Sequence, residues 1–274
     1  MSKQDKGIRA LLAATDFEII PFQGAMEKAA AIHPGATVSV TTAPARGTSA
    51  TIDLALELQE RGYRAVPHLS ARMIEDRRNL ASIIKRLDDG GVAQAFIVGG
   101  DGTPHGDYSD AFSLLRDMAE VGHPFLEVGI TGYPEGHPAI PAEALRQAMH
   151  DKQPYATYIV TQMCFSPTVI ADWVRSIRAD GVTLPVKVGV PGAVDPARLL
   201  TMGARIGVGE SIRFLRKNRS LLQMLRPGRY RPGRLIEPLG EVAENLGITG
   251  VHLFTFNQVA PSVEWHRRAL AKAT

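Results

Sequence analysis

Short runs of apolar, largely β-prone residues recur along the chain: FEIIPF (17–22), TVSVTT (37–42), AVPHLS (65–70), AFIVGG (95–100), FLEVGITGY (125–133), YIVTQMC (158–164), PVKVGV (185–190) and VHLFTF (251–256). Most are nearly continuous in apolar character rather than alternating. Strands buried on both faces of a parallel sheet read this way. Helical periodicity fills the gaps. Ser49 to Arg61 carries Ile52, Leu54, Ala55, Leu56 and Leu58 and stops at Gly62. Arg72 to Leu87 carries Ile74, Leu80, Ile83 and Ile84 and runs into Asp-Asp-Gly-Gly. Tyr108 to Val121 stops at Gly122, and Pro167 to Asp180 stops at Gly181. Glycine after the last apolar turn is the expected helix stop. Pro196 to Met202 and Ser211 to Leu225 are further helical candidates.

Eight strands alternating with helices predict a (β/α)8 TIM barrel, and 274 residues suit that fold as a single domain over 1–274. The rival is a doubly wound sheet, which would carry G-x-G-x-x-G after its first strand. Here the first strand runs into PFQGAMEK, which lacks that pattern. There is no internal repeat and no linker.

In a barrel the reactive groups gather at the C-terminal ends of the strands. Those positions hold Glu18; Thr41 and Thr42; His68 and Ser70; Gly99, Gly100 and Asp101; Tyr133, Glu135 and His137; Gln162; and Asn257 and Gln258. Glu18 interrupts an apolar strand, and a carboxyl group seldom sits there without a task or a partner. Burial would raise its pKa and suit it to general acid work. Asp101 follows two glycines that let a ligand approach the backbone. Gln162 offers an amide that both donates and accepts, as the edge of a heterocycle requires. The loop GYPEGHP holds Tyr133, Glu135 and His137 between two prolines.

Composition narrows the classes. The net charge of +3 is too mild for a nucleic-acid partner. No apolar run reaches the ~18 residues of a membrane span. The N-terminus carries Asp5, Asp16 and Glu18, a poor signal peptide, so the expected location is cytoplasmic. Cys164 is the sole cysteine, which rules out an intrachain disulfide. Charge is uneven, however. Arg213, Arg216, Lys217, Arg219, Arg226, Arg229, Arg231 and Arg234 stand together with no acid, as a solvated basic face or a surface for an anionic small molecule.

Two other classes remain open on residues alone. His68, His105 and His137, with Asp101, could assemble the metal site of a barrel hydrolase or lyase, although the tight H-x-H pairs usual in such barrels are missing. A non-catalytic binding subunit is the other.

FEIIPF with Glu18, PHLS around His68, GGDGTP with Asp101, GYPEGHP, VTQMCF with Gln162 and HLFTFNQ with Asn257 resemble, in order and rough spacing, the methylenetetrahydrofolate reductase family. The likeness extends from residue 17 to about 258, and its most specific part is YPEGHP followed by Gln162, 29 residues after Tyr133. The resemblance implies a barrel that reduces 5,10-methylenetetrahydrofolate to 5-methyltetrahydrofolate with NADH or NADPH, usually through FAD. It implies Glu18 as the general acid, with Asp101 acting beside it at the pterin. It implies Gln162, Phe214, Asn257 and Gln258 at the substrate, and Thr42, His68, Gly99, Gly100, Tyr133 and His137 at the flavin. It implies no metal, and tetrahydrofolate derivatives as partners, with a homo-oligomer compatible.

The chain departs from the family pattern at flavin-holding positions. Gly99-Gly100-Asp101 replaces the usual Arg-Gly-Asp, removing a charge-assisted contact. The usual acid and lysine of the following helix fall near Ala144 and Asp151, with Lys152 one residue late. Gln258 stands where the family has arginine. The expectation is a divergent member that holds FAD weakly or not at all, with Arg46, Arg72 or the basic stretch serving phosphates.

Overall fold

The structure, a computed structural model, describes residues 2–195 and 232–273. Eight parallel strands close into a barrel in sequence order, and the last pairs with the first. They are β1 Thr15–Ile19, β2 Thr37–Val40, β3 Arg64–Ser70, β4 Gln94–Val98, β5 Glu127–Gly132, β6 Tyr158–Thr161, β7 Val186–Pro191 and β8 Ile248–Phe254. The helices packed around them are α1 Lys3–Ala13, α2 Ala25–Ala29, α3 Gly47–Glu60, α4 Arg77–Asp89, α5 Ala111–Val121, α6 Ala142–Lys152, α7 Pro167–Ala179, α8 Gly233–Ile236, α9 Ala243–Leu246 and α10 Val259–Lys272. The (β/α)8 barrel expected from the sequence is therefore the fold.

Alternation along each strand divides the core in two. Phe17, Ile19, Val38, Val40, Leu69, Ile97, Ile130, Ile159, Val188 and Leu253 join the helices in one continuous apolar layer outside the barrel. Val66, Phe96, Tyr158 and Val160 form a separate small cluster. These alternate with the outer set along their strands, so they fill the inside. There Gly129 is obligatory: a Cβ on it would come within 2.4 Å of the Tyr158 ring and 2.5 Å of the Phe96 ring. The interior also holds charge. Lys187 donates to Asp16 at 2.6 Å and lies 4.8 Å from the centre of the Tyr158 ring.

Helix α4 shows how the outer layer forms. Asp76 caps it by accepting from the Asn79 amide at 2.7 Å. Leu80, Ile83, Ile84 and Leu87 then make one buried stripe, each contributing roughly 1.5–3 kcal/mol by leaving water. This start corrects the expected one at Arg72. Residues 71–73 form a separate 3-10 turn, and Ile74 is buried outside the helix. The expected helices at 196–202 and 211–225 lie outside the described residues.

Beyond the ladder that pairs β1 with β8, Asn257 ties the two strand ends together. Its side-chain oxygen accepts from Ile20 N at 2.8 Å and its amide donates to Ile20 O at 2.9 Å. Thr255 adds a hydrogen bond from its hydroxyl to the Glu18 carbonyl at 2.6 Å. Asn257 adopts φ 57°, a left-handed conformation that asparagine tolerates well.

Candidate active site

Glu18 points into the barrel near its C-terminal mouth, with a side chain 12% exposed. Two imidazoles converge on it. His252, inward-facing on β8, places Nε2 3.2 Å from Glu18 Oε2. His68, inward-facing on β3, places Nε2 3.9 Å from the same oxygen and 3.0 Å from the Ser39 hydroxyl. Both rings are held by aromatic neighbours: His68 lies 4.7 Å from Phe96 and His252 lies 4.9 Å from Phe254, centre to centre. Burial pulls His68 down to about 4, although the Glu18 carboxylate opposes that shift, so His68 is a neutral ring at physiological pH. The arrangement places a carboxyl group, hydrogen-bonded to an imidazole, where a ligand in the mouth can exchange a proton with it.

The loop after β4 forms the next part of the rim. Asp101 is exposed there. Gly100, at φ 85°, leaves no room for a side chain, because a Cβ would meet Ser70 Oγ at 2.1 Å. Gly99 has open space beside it, so the arginine usual at this position is missing without any steric substitute. Arg72 holds the loop in place, donating to Ser109 O at 2.8 Å and Gly102 O at 3.0 Å. These contacts engage two of the guanidinium's N–H groups, on Nε and Nη1.

After β5, the GYPEGHP loop folds on itself. Gly136 N donates to Tyr133 O at 3.0 Å, and the Tyr133 and His137 rings meet edge to face at 5.3 Å. Burial raises the Tyr133 hydroxyl and the Glu135 carboxyl above their usual values. Gln162, exposed at the end of β6, turns its side-chain oxygen back to Met163 N at 2.9 Å. Thr42 is half-buried in the loop after β2. Glu18, Asp101, Tyr133, His137 and Gln162 thus stand at or just beyond the ends of β1, β4, β5 and β6 on one rim.

Several expected roles change. Asn257, expected at the substrate, has both polar atoms committed to Ile20 and serves as a clamp. Gln258 accepts from Asp195 N at 3.1 Å, which ties the loops after β7 and β8 together. His68, expected beside the cofactor, stands in the Glu18 cluster inside the barrel. Lys152, the offered replacement for a cofactor lysine, is buried at the far end of α6, ~16 Å along the helix from the GYPEGHP side. The three-histidine set is not assembled. His105 lies on the exposed β4–α5 loop and His137 packs on Tyr133, while among the described residues the cluster with metal-ligand spacing is Glu18, His68 and His252. Phe214 and most of the basic stretch lie outside the described residues. His252 was missed in the sequence, although an imidazole inside an apolar strand is the same signal that singled out Glu18.

A closed barrel with an acid cluster and polar loops at its C-terminal mouth has the layout of a barrel enzyme. Residues 21–195 match the methylenetetrahydrofolate reductase family model. The chain belongs to the methylenetetrahydrofolate reductase family. The matched stretch includes Asp101, Tyr133, His137 and Gln162, while Glu18 and His252 flank it. A Caenorhabditis elegans protein named probable methylenetetrahydrofolate reductase (NADPH) is 26% identical over 204 residues, which is 66% of this chain and 29% of that protein. Among solved structures, the tryptophan synthase alpha chain of Legionella pneumophila subsp. pneumophila superposes with a TM-score of 0.53 at 12% identity, covering 99% of this chain and 98% of its own. An oxaloacetate acetylhydrolase superposes with a TM-score of 0.52 at 12% identity, covering 98% and 87%. These two likenesses are of fold alone. No helix among the described residues is long and apolar enough to cross a membrane.

Proposed function

We propose that the chain reduces 5,10-methylenetetrahydrofolate to 5-methyltetrahydrofolate, taking hydride directly from NADH or NADPH rather than through a tightly held FAD. The observation that carries this reading is the Glu18 carboxyl, hydrogen-bonded to His252 at the barrel mouth in a member of this family. N10 of the folate is a poor leaving group until it is protonated. Glu18 delivers that proton as the five-membered ring opens to an iminium. The iminium carbon then accepts hydride from the nicotinamide ring, yielding the methyl group and the oxidised nucleotide. Asp101 and Gln162 are assigned to the N–H and amino groups of the pterin, so the transfer becomes a matter of positioning.

The donors fit a tightly held flavin poorly. Gly99 offers no guanidinium, two N–H groups of Arg72 are engaged by loop carbonyls, and Lys152 is buried. Thr42, Tyr133 and His137 remain as candidates for the nicotinamide nucleotide. The test is NADH oxidation by freshly purified protein with 5,10-methylenetetrahydrofolate and no added flavin. Substrate-dependent oxidation by protein without flavin absorbance is the expected result. Activity appearing only on addition of FAD would return the chain to the flavoenzyme route, and silence in both conditions would reject the reductase reading. Replacing Glu18 by Gln should abolish turnover while leaving folate binding within a few-fold.

A further inference from the structure

We propose that Glu18, His68 and His252 form a binding site for one divalent cation of the zinc class. The donor atoms, one carboxylate oxygen and two imidazole nitrogens, all lie within 4.8 Å of one another. One carboxylate with two histidines is a set that zinc takes in three-ligand sites, leaving a fourth position open. Ideal metal–ligand distances near 2.0–2.2 Å put tetrahedral donors about 3.4 Å apart. Glu18 and His252 already stand at 3.2 Å, and His68 is 3.9 Å from the same oxygen. His68 closes the set by exchanging its 3.0 Å contact with Ser39 for the cation. The three residues project from β1, β3 and β8, and packing on Phe96 and Phe254 restricts both rings. Ligands on rigid strands lose little entropy on binding. That a bound cation would inhibit turnover rests on the reductase reading, because there Glu18 must be free of other ligands. The cation site itself does not depend on that reading.

The test uses untagged full-length protein, stripped with a chelator and titrated with zinc chloride against a chromogenic chelator. One equivalent should bind. H252A and H68A should each weaken it by at least about tenfold, the loss that changes merely behind a ligand already cause. H33A, at an exposed histidine, should leave it unchanged. Failure to bind one equivalent, or equal affinity in H252A, would overturn the site. If the histidine variants do not fold, cobalt(II) added to the stripped wild-type protein decides. Intense visible bands of a four- or five-coordinate ion support the site, and the faint spectrum of a six-coordinate ion overturns it. In the reductase assay, zinc should inhibit in proportion to occupancy and excess chelator should restore turnover. Full turnover at full occupancy would refute inhibition through Glu18. If stripped protein never turns over, the reductase reading fails, and the titration still decides the cation site.

Discussion

Lys152 ends α6 with only 6% of its surface exposed. Burial pulls it from 10.5 down to about 8, with Asp110 offsetting part of the effect. At 1.36 kcal/mol per pH unit, carrying this charge into the folded protein costs about 3 kcal/mol. Lys152→Met keeps most of the aliphatic stem and removes the charge. Below pH 8 both folded and unfolded chains hold the proton, so the full cost is present in the wild type. Between pH 8 and 10.5 the folded protein sheds its proton first and the cost fades. The variant should therefore be about 3 kcal/mol more stable at pH 7, a midpoint increase of roughly 6–12 °C for a chain of this size. Thermal and denaturant unfolding at pH 7 and at pH 10.5 measure it, and the gain should shrink toward zero at the higher pH. A variant no more stable than wild type at pH 7, or a gain undiminished at pH 10.5, would refute the assignment of Lys152 as a charge that burial destabilises.

Other outcomes follow from the same geometry. Asn257→Ala strips both hydrogen bonds from Ile20 and forces alanine into φ 57°, and should cost about 3–5 kcal/mol in denaturant unfolding. Lys187→Met leaves Asp16 buried without its partner and should cost about 3–5 kcal/mol, whereas Asp16→Leu combined with Lys187→Met should recover most of that. Arg72→Ala frees the Asp101 loop and should lower turnover by roughly tenfold or more while changing stability by less than about 1 kcal/mol. Arg72→Lys should not restore turnover, since a single ammonium lacks the planar fork that reaches two carbonyls.

The eight strands were legible because the outer layer alone makes each of them apolar. What that layer hides is the inward face, where Glu18, His68, His252 and the Asp16–Lys187 pair sit among Val66, Phe96 and Tyr158. Glu18 is conspicuous as a charge in an apolar run. His252 is not, since a single histidine in VHLFTF passes for tolerated polarity until the closing pairing of β8 with β1 brings it to the carboxyl. Helix α6 entered the sequence reading only through the family resemblance, because its buried face consists of Met149 and Lys152, too thin a stripe to show a period. Helix α10 buries Val259, Ser262 and His266, so polar residues occupy its core positions and Pro261 lies in its first turn. The role of Asn257 was misread for a related reason. An amide at a strand end looks the same in sequence whether it faces a ligand or the backbone of a strand 237 residues away.

That separation bears on the order of events during synthesis. The Asn257–Ile20 clamp closes a loop of more than two hundred residues, at an entropic cost of about 5 kcal/mol by the logarithmic rule. On a ribosome adding ~5–20 residues per second, β1 exists for many seconds with one edge unpaired before β8 emerges. Throughout that interval Glu18 has no His252 beside it. The Glu18–His252 contact and the sealing of the barrel therefore arrive together, with β8.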